Sequence, residues 1–106
     1  YMRVPIDDDE ASDAGFYFDE VVKFIQRVEQ CKGKIFVHCV AGASRAPTMV
    51  MAFLVMAKNI TLWDAFIFIR ARRSIVFPNS HFLYQLALYE VCCVLWVYIV
   101  YKYLYT

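Results

Sequence analysis

The middle of the chain reads Ile35-Phe36-Val37-His38-Cys39-Val40-Ala41-Gly42-Ala43-Ser44-Arg45-Ala46-Pro47. Its first three residues are apolar and rich in β-formers, which predicts a short buried strand over residues 35–37. Proline is favoured in the first turn of a helix, so Pro47 predicts a helix over residues 46–58, with Asn59 as its stop. A strand, a loop and a helix in this order are typical of an α/β domain.

The loop between this strand and this helix has the composition of an anion site. A helix N-terminus leaves backbone N–H groups unpaired and carries partial positive charge, so it attracts anions. Gly42 permits a positive φ that turns those N–H groups toward one centre, and Arg45 can grip two phosphate oxygens. The same surroundings favour the thiolate form of Cys39. A thiolate beneath a bound phosphate is placed for attack on phosphorus.

Such a reaction also needs an acid for the departing oxygen and then a base for water. The loop Asp7-Asp8-Asp9-Glu10 is the candidate supplier, although most acids in such a run are solvated loop residues. A short strand is predicted just before it, over residues 3–6. A first helix is predicted between Asp13 as its N-cap and Gly33 as its stop. Thr61 and Asp64 form the capping box of a third helix that ends near Arg73. The chain then breaks at Pro78-Asn79-Ser80 before a last helix.

Composition excludes several classes of protein. The 106 residues suit one domain, and a 61% hydrophobic share is incompatible with a disordered segment. A formal net charge of +1 gives no broad field for nucleic acid or acidic membranes, so anion binding has to come from a local site. The four cysteines show neither metal-ligand spacing nor a disulfide framework, which predicts no metal, no cofactor and a reducing compartment. The first residues lack the apolar run of a secretory signal.

Three stretches of the sequence resemble one family. The loop His38-Cys39-Val40-Ala41-Gly42-Ala43-Ser44-Arg45 resembles the H-C-x-x-G-x-x-R loop of the protein tyrosine phosphatase superfamily, and of its dual-specificity branch in particular. Tyr1-x-x-Val4-Pro5-Ile6-x-Asp8 is similar to the segment of that branch that bears the general acid. Arg73-x-x-Val76-x-Pro78-Asn79-x-x-Phe82-x-x-Gln85-Leu86 is similar to its closing helix.

The resemblance implies a fold, a division of the chain and a reaction. The fold is α/β, a small central sheet flanked by helices, here without the first strands of the full domain. The catalytic domain covers residues 1–90, and residues 91–106 form an apolar helical tail. The reaction is hydrolysis of phosphotyrosine and of phosphoserine or phosphothreonine in proteins through a phosphocysteine.

The resemblance also implies roles for single residues. Cys39 is the expected nucleophile, Arg45 the oxyanion clamp and Asp8 the general acid, with Asp7 and Asp9 as fallback acids. The phosphate is expected to lie against the backbone N–H groups of Val40, Ala41, Gly42, Ala43, Ser44 and Arg45.

Ala46 departs from the family pattern, in which Ser or Thr follows the loop arginine. That hydroxyl is expected to hydrogen-bond the cysteine sulfur and help it leave in the second step, so Ala46 predicts slow hydrolysis of the phosphocysteine. Thr48 is expected to point elsewhere. Two other functions stay open: a phosphoprotein-binding module with little turnover, and a phosphatase for phosphoinositides or RNA 5′-phosphates. The loop lacks the extra lysines expected for such polyanions.

The tail is more apolar than the last turn of a domain requires. Its run from Val91 to Tyr101 is shorter than the roughly 20 residues that span a bilayer. It predicts either a core or partner-facing helix, or a segment that associates with a membrane. For the whole chain we expect a phosphorylated protein as substrate, no nucleic-acid partner and a cytoplasmic location, with nuclear or peripheral membrane locations as alternatives.

Overall fold

Four α-helices and one 3-10 turn form the regular structure of residues 1–105, the part of the chain that this computed structural model describes, apart from the side chains of Tyr103 and Tyr105. After the turn Gly15–Tyr17, the helices are α1 (Phe18–Gln30), α2 (Arg45–Lys58), α3 (Leu62–Arg72) and α4 (Ser80–Tyr105). All four were predicted from their periodicity and their end signals.

Local side-chain chemistry sets most helix ends. Thr61 Oγ1 accepts a hydrogen bond from Asp64 N–H at 3.1 Å and caps α3, as its sequence predicts. Asn59 ends α2 in the left-handed conformation with φ 54°. Asp13 Oδ1 accepts from Phe16 N–H at 3.1 Å, so it opens the 3-10 turn rather than α1 itself. At the other end of α1, the positive φ lies at Lys32, one residue before the predicted stop Gly33.

Helix α2 lies at the centre of the hydrophobic core. It packs against α1, α3 and α4, and its Met51 and Ala52 have no exposed surface. Phe18 from α1 and Phe82 and Leu86 from α4 are also fully buried against it. Burying side chains of this size stabilises the fold by roughly 1.5–3 kcal/mol each.

Helices α2 and α4 run parallel and begin at the same end of the molecule. Asn79, just before α4, donates its N–H to Ser44 Oγ, just before α2, at 3.0 Å. Towards the other end of α2, Met56 Sδ lies 3.5 Å from Cys93 Sγ. Two helix N-termini therefore flank the loop that precedes α2.

The prediction of a central sheet is wrong, because no residue between 1 and 105 is in a β-strand. The two segments predicted as strands, 3–6 and 35–37, line one cavity of about 780 Å³ instead of pairing with each other. A strand exists only when a neighbouring strand accepts and donates its backbone hydrogen bonds. Here the single backbone bond in either segment joins Ile6 N–H to Val4 O at 2.9 Å. Ile35 and Phe36 are also 40% and 84% exposed, so the apolar run is not a buried strand.

The tail continues α4 without a break. Helix α4 passes residue 90 in regular conformation, and the division of the chain into residues 1–90 and 91–106 stays a prediction. Of the predicted tail, Thr106 lies outside the described residues. The described side chains of this segment are largely exposed, so the prediction of a core helix is wrong for residues 94–99.

Candidate active site

The loop from Cys39 to Arg45 turns sharply at Gly42, which has φ +69° as its sequence predicts. A side chain at this position is strained in that conformation. It also has little room, since a Cβ on Gly42 lies 3.1 Å from Arg73 Nη2 and 3.2 Å from Arg73 Nε. The guanidinium of Arg73 therefore packs directly on the turn, and its Nη2 donates to Ala41 O at 3.2 Å.

Three carbonyl groups of the loop are held by residues outside it. Besides Ala41 O, Ala43 O accepts from Phe77 N–H at 2.7 Å. Ser44 O accepts from the hydroxyl and the N–H of Thr48 at 2.7 and 3.0 Å. By contrast, the N–H groups of residues 40–45 make no hydrogen bond to any described residue. Unpaired N–H groups at a helix N-terminus are the donors that bind an anion.

Cys39 lies at the base of this arrangement. Its Sγ accepts a hydrogen bond from Ala46 N–H at 3.4 Å, in the first turn of α2. The hydroxyl of Thr48 is fully buried on Ser44 O and does not reach the sulfur, as the sequence predicts. The sulfur thus faces a helix N-terminus through a backbone donor, without a hydroxyl from the residue after the arginine.

Arg45 joins the loop to the start of the chain. Its Nη1 donates to Ile6 O at 3.3 Å, two residues before Asp8. Its Nε is buried and has no hydrogen-bond partner among the described residues. A buried guanidinium N–H without a partner is costly unless a ligand accepts from it, so this atom is suited to an oxyanion.

Asn79 connects the acidic loop to the loop from Cys39 to Arg45. Its Nδ2 donates to Asp8 Oδ1 at 2.9 Å and to Asp9 O at 3.1 Å. Its N–H donates to Ser44 Oγ, and its Oδ1 accepts from Phe82 N–H at 2.9 Å, which caps α4. Asn79 therefore ties Asp8 to the loop through its backbone N–H and to α4 through its side chain.

Asp9 has a structural part in the acidic loop. Its Oδ1 accepts from Ser12 N–H at 2.8 Å and from Ala11 N–H at 3.0 Å. Hydrogen bonds from the Ser12 side chain, and then from the Ser12 and Ala11 backbone, hold the pKa of Asp9 below its ordinary value. A carboxyl group that stays ionised is a poor proton donor, so Asp9 is a weak candidate for the acid.

A family model for the catalytic domain of dual specificity phosphatases matches residues 1–92. The chain belongs to this family. Human dual specificity protein phosphatase 4 is 40% identical over 90 residues, which are 85% of this chain and 23% of that protein. Dual specificity protein phosphatase 5 of Rattus norvegicus is 43% identical over 90 residues, with the same two coverages. The dual specificity phosphatase chain thus spans about a quarter of the length of the curated relatives that it matches.

Solved structures of the family resemble this fold. The human tyrosine phosphatase-like serine/threonine/tyrosine-interacting protein is 31% identical with a TM-score of 0.86, over 89% of this chain and 62% of that one. Human DUSP28 is 27% identical with a TM-score of 0.84, over 86% of this chain and 62% of that one.

The structure of this dual specificity phosphatase domain brings together most of the residues singled out by sequence. Cys39 and Arg45 lie on one loop, and Asp8 is tied to that loop through Asn79. His38 lies apart: it is exposed and stacks on Phe36, with ring centroids 5.3 Å apart. The roles of Arg73 and Asn79 were missed. Both occur in the motif of the closing helix, but nothing local in the sequence indicates which groups they contact.

Proposed function

We propose that this domain is a protein phosphatase that works through a phosphocysteine on Cys39. One observation carries the proposal: the loop around Cys39 has three of its carbonyl groups bound from outside and the N–H groups of residues 40–45 unpaired among the described residues, next to a buried Arg45 Nε without a partner there. A dianionic phosphate monoester supplies the acceptors that these donors need. The family membership supports the same reaction class.

In the first step, the thiolate of Cys39 forms a bond to phosphorus while the bond from phosphorus to the side-chain oxygen breaks. Asp8, as the carboxylic acid, gives its proton to that oxygen, so a neutral hydroxyl leaves. Arg45 and the N–H groups of the loop hold the three equatorial oxygens. In the second step, the carboxylate of Asp8 takes a proton from water. The water oxygen bonds to phosphorus, and Cys39 leaves as thiolate.

The test is release of phosphate from a small aryl phosphate and from a phosphotyrosine peptide, under reducing conditions with a metal chelator. We expect Cys39→Ser to lower the rate at least about a thousandfold, since it removes the nucleophile. We expect Asp8→Asn to lower it about a hundredfold or more, since it removes the proton donor.

Two matched variants control this assay. Cys31→Ser changes an exposed cysteine outside the loop, and Asp7→Asn removes a neighbouring carboxylate from the same acidic loop. Both should retain most of the activity. Equal losses in Asp7→Asn and Asp8→Asn would mean that the acid is not Asp8. Full activity in Cys39→Ser would refute the mechanism.

The second candidate function is a phosphoprotein-binding module with little turnover. Ala46 favours it, because the sulfur lacks the hydroxyl that helps it to leave. A solved relative that is 31% identical is named as a tyrosine phosphatase-like interacting protein. This candidate predicts that the unmodified chain binds a phosphopeptide in calorimetry without releasing phosphate, and that Cys39→Ser binds equally well. The presence of both Cys39 and Asp8 favours catalysis, since binding alone needs neither.

A further inference from the structure

The second half of α4 extends beyond the body of the molecule. Its first half belongs to the core through Phe82 and Leu86, which are fully buried. Glu90 makes the next contact, since its carboxylate accepts from Leu62 N–H at the start of α3. Farther along α4, Cys93 Sγ lies 3.5 Å from Met56 Sδ of α2. The segment after Cys93, residues 94–104, is here called the distal helix.

The first six residues of the distal helix, 94–99, leave no polar face. Six consecutive residues are apolar or aromatic, and each is about half exposed or more: Val94, Leu95, Trp96, Val97, Tyr98 and Ile99. At 100° per residue, six positions cover more than one full turn of a helix. This distinguishes it from α1, whose buried residues Phe18, Val21, Val22 and Ile25 recur on one side only.

An exposed helix that is apolar all round matches one kind of surroundings. A single folded partner covers one side of a helix and leaves the others in water, whereas lipid covers every side. A tryptophan and two tyrosines, Trp96, Tyr98 and Tyr101, lie along the exposed surface, and such residues concentrate where lipid tails meet headgroups.

The exposed apolar surface of the distal helix continues onto the start of α3. Trp63, in the first turn of α3, is 68% exposed. It lines a cleft of about 390 Å³ together with Val91, Val94 and Leu95 of α4. An exposed tryptophan beside the start of an apolar helix is suited to rest at the headgroup level while the helix enters the lipid.

The residues of the distal helix match the depth of one leaflet of a bilayer. The stretch Ser80–Lys102 is long and apolar enough to cross a bilayer by composition, with a mean hydropathy of 1.8. Its first half, however, is held in the core by Phe82 and Leu86. The eleven residues of the distal helix measure about 16 Å, roughly half of the 30 Å hydrocarbon thickness.

From these observations we propose that the distal helix inserts into one leaflet of a lipid bilayer and anchors the domain to the membrane surface. The proposal goes beyond the phosphatase function and does not depend on it, because binding to lipid requires neither Cys39 nor Asp8.

Sedimentation with vesicles of phosphatidylcholine tests the proposal with the full chain. We expect the chain to sediment with the vesicles, and Val97→Glu to lower its partitioning about tenfold or more, since a carboxylate has to enter the apolar layer. Val97 is 59% exposed, so its substitution leaves the core intact. The matched control is Phe16→Glu, which adds the same charge at a residue that is 74% exposed in the 3-10 turn, outside α4. It should bind vesicles like the unmodified chain.

A second measurement locates the inserted segment. In a Trp63→Phe background, Trp96 is the remaining tryptophan. Its emission should shift to the blue with vesicles and be quenched by lipids brominated in their acyl chains. Absence of vesicle binding would overturn the proposal. So would a dimer in solution that Val97→Glu dissociates while no vesicles are bound, since the apolar surface would then serve a second copy of the chain.

Discussion

Ala46 is the residue at which the sequence predicts a departure from the family pattern. Its backbone N–H reaches Cys39 Sγ at 3.4 Å, but its methyl group offers no further donor to the sulfur. A hydroxyl at this position stabilises the thiolate as it leaves phosphorus. In the proposed mechanism, we expect its absence to slow the second step more than the first, because only in the second step is the sulfur the leaving group.

We predict that Ala46→Ser raises steady-state turnover by about tenfold, in line with one added hydrogen bond to a charged group. Rapid mixing of the unmodified chain with an aryl phosphate should show a burst of the phenol product followed by slow turnover, and Ala46→Ser should reduce the burst. Ala57→Ser, near the far end of α2, is the control and should leave both phases unchanged. A linear trace without a burst in the unmodified chain would contradict the prediction.

Asp9 predicts how the acidic loop responds to pH. Hydrogen bonds from Ser12 and Ala11 lower its folded-state pKa below the ordinary value of 3.8. A lowered pKa stabilises the fold fully above the unfolded value, and this contribution is lost as pH falls through the folded value. The unmodified chain should therefore lose stability below about pH 4, and Asp9→Asn should show a shallower loss over the same range.

Thermal unfolding followed by circular dichroism between pH 6 and pH 3 measures this difference. The comparison variant is Asp7→Asn, in the same loop, whose carboxylate accepts no hydrogen bond from the described residues. It should keep the acid dependence of the unmodified chain. Identical acid curves for Asp9→Asn and the unmodified chain would show that the hydrogen bonds to Asp9 do not stabilise the loop.

At the scale of elements, the start of α4 serves both stability and the site. Asn79 caps the helix with its Oδ1 and holds Asp8 with its Nδ2. A cap hydrogen bond contributes about 1 kcal/mol to stability. The two functions of this side chain use different atoms, so different substitutions can separate them.

We predict that Asn79→Asp keeps the cap, because a carboxylate oxygen still accepts from Phe82 N–H, but loses the donor to Asp8. Its free energy of unfolding in urea should stay within about 0.5 kcal/mol of the unmodified chain, whereas kcat falls about tenfold with little change in KM. Asn79→Ala should lose about 1 kcal/mol of stability as well as kcat. A variant Asn79→Asp with unchanged kcat would show that Asn79 does not position the acid.

The helices could be predicted because their signals are local. Thr61 and Asp64 lie three residues apart, and the residues that face the core recur within a turn or two. The loop from Cys39 to Arg45 could be recognised for the same reason, since its chemistry lies in seven consecutive residues. The contacts of Arg73 and Asn79 with this loop join residues 32 and 35 positions apart, and no local pattern indicates them.

At the scale of the whole molecule, the incorrect prediction of a sheet has the same cause, since a local pattern does not indicate contacts between distant segments. The apolar run at residues 35–37 indicates a propensity for strand, but a strand also requires a partner, and partners are set by the arrangement of the entire chain. Residues 3–6 and 35–37 line a common cavity and share no ladder. Their backbone groups are left without the protection that the helices have.

We predict that hydrogen exchange separates these parts of the molecule. The amides of residues 2–6 and 34–38 should exchange close to the rate of an unstructured chain, whereas those of α2, at the centre of the core, should be the most protected. Exchange followed by proteolysis and mass spectrometry measures both in one experiment. Protection of residues 34–38 equal to that of α2 would show that they are paired in solution.

The parallel course of α2 and α4 also sets the distance between the loop from Cys39 to Arg45 and the distal helix. The loop lies beside the first residue of α4, and the distal helix starts fourteen residues later, so the two are up to about 20 Å apart. When the distal helix is bound to a surface, the loop from Cys39 to Arg45 therefore lies up to about 20 Å above that surface. An extended chain advances about 3.3–3.6 Å per residue. A phosphorylated residue on a neighbour attached to the same surface therefore needs an extended arm of at most about six residues to reach Cys39.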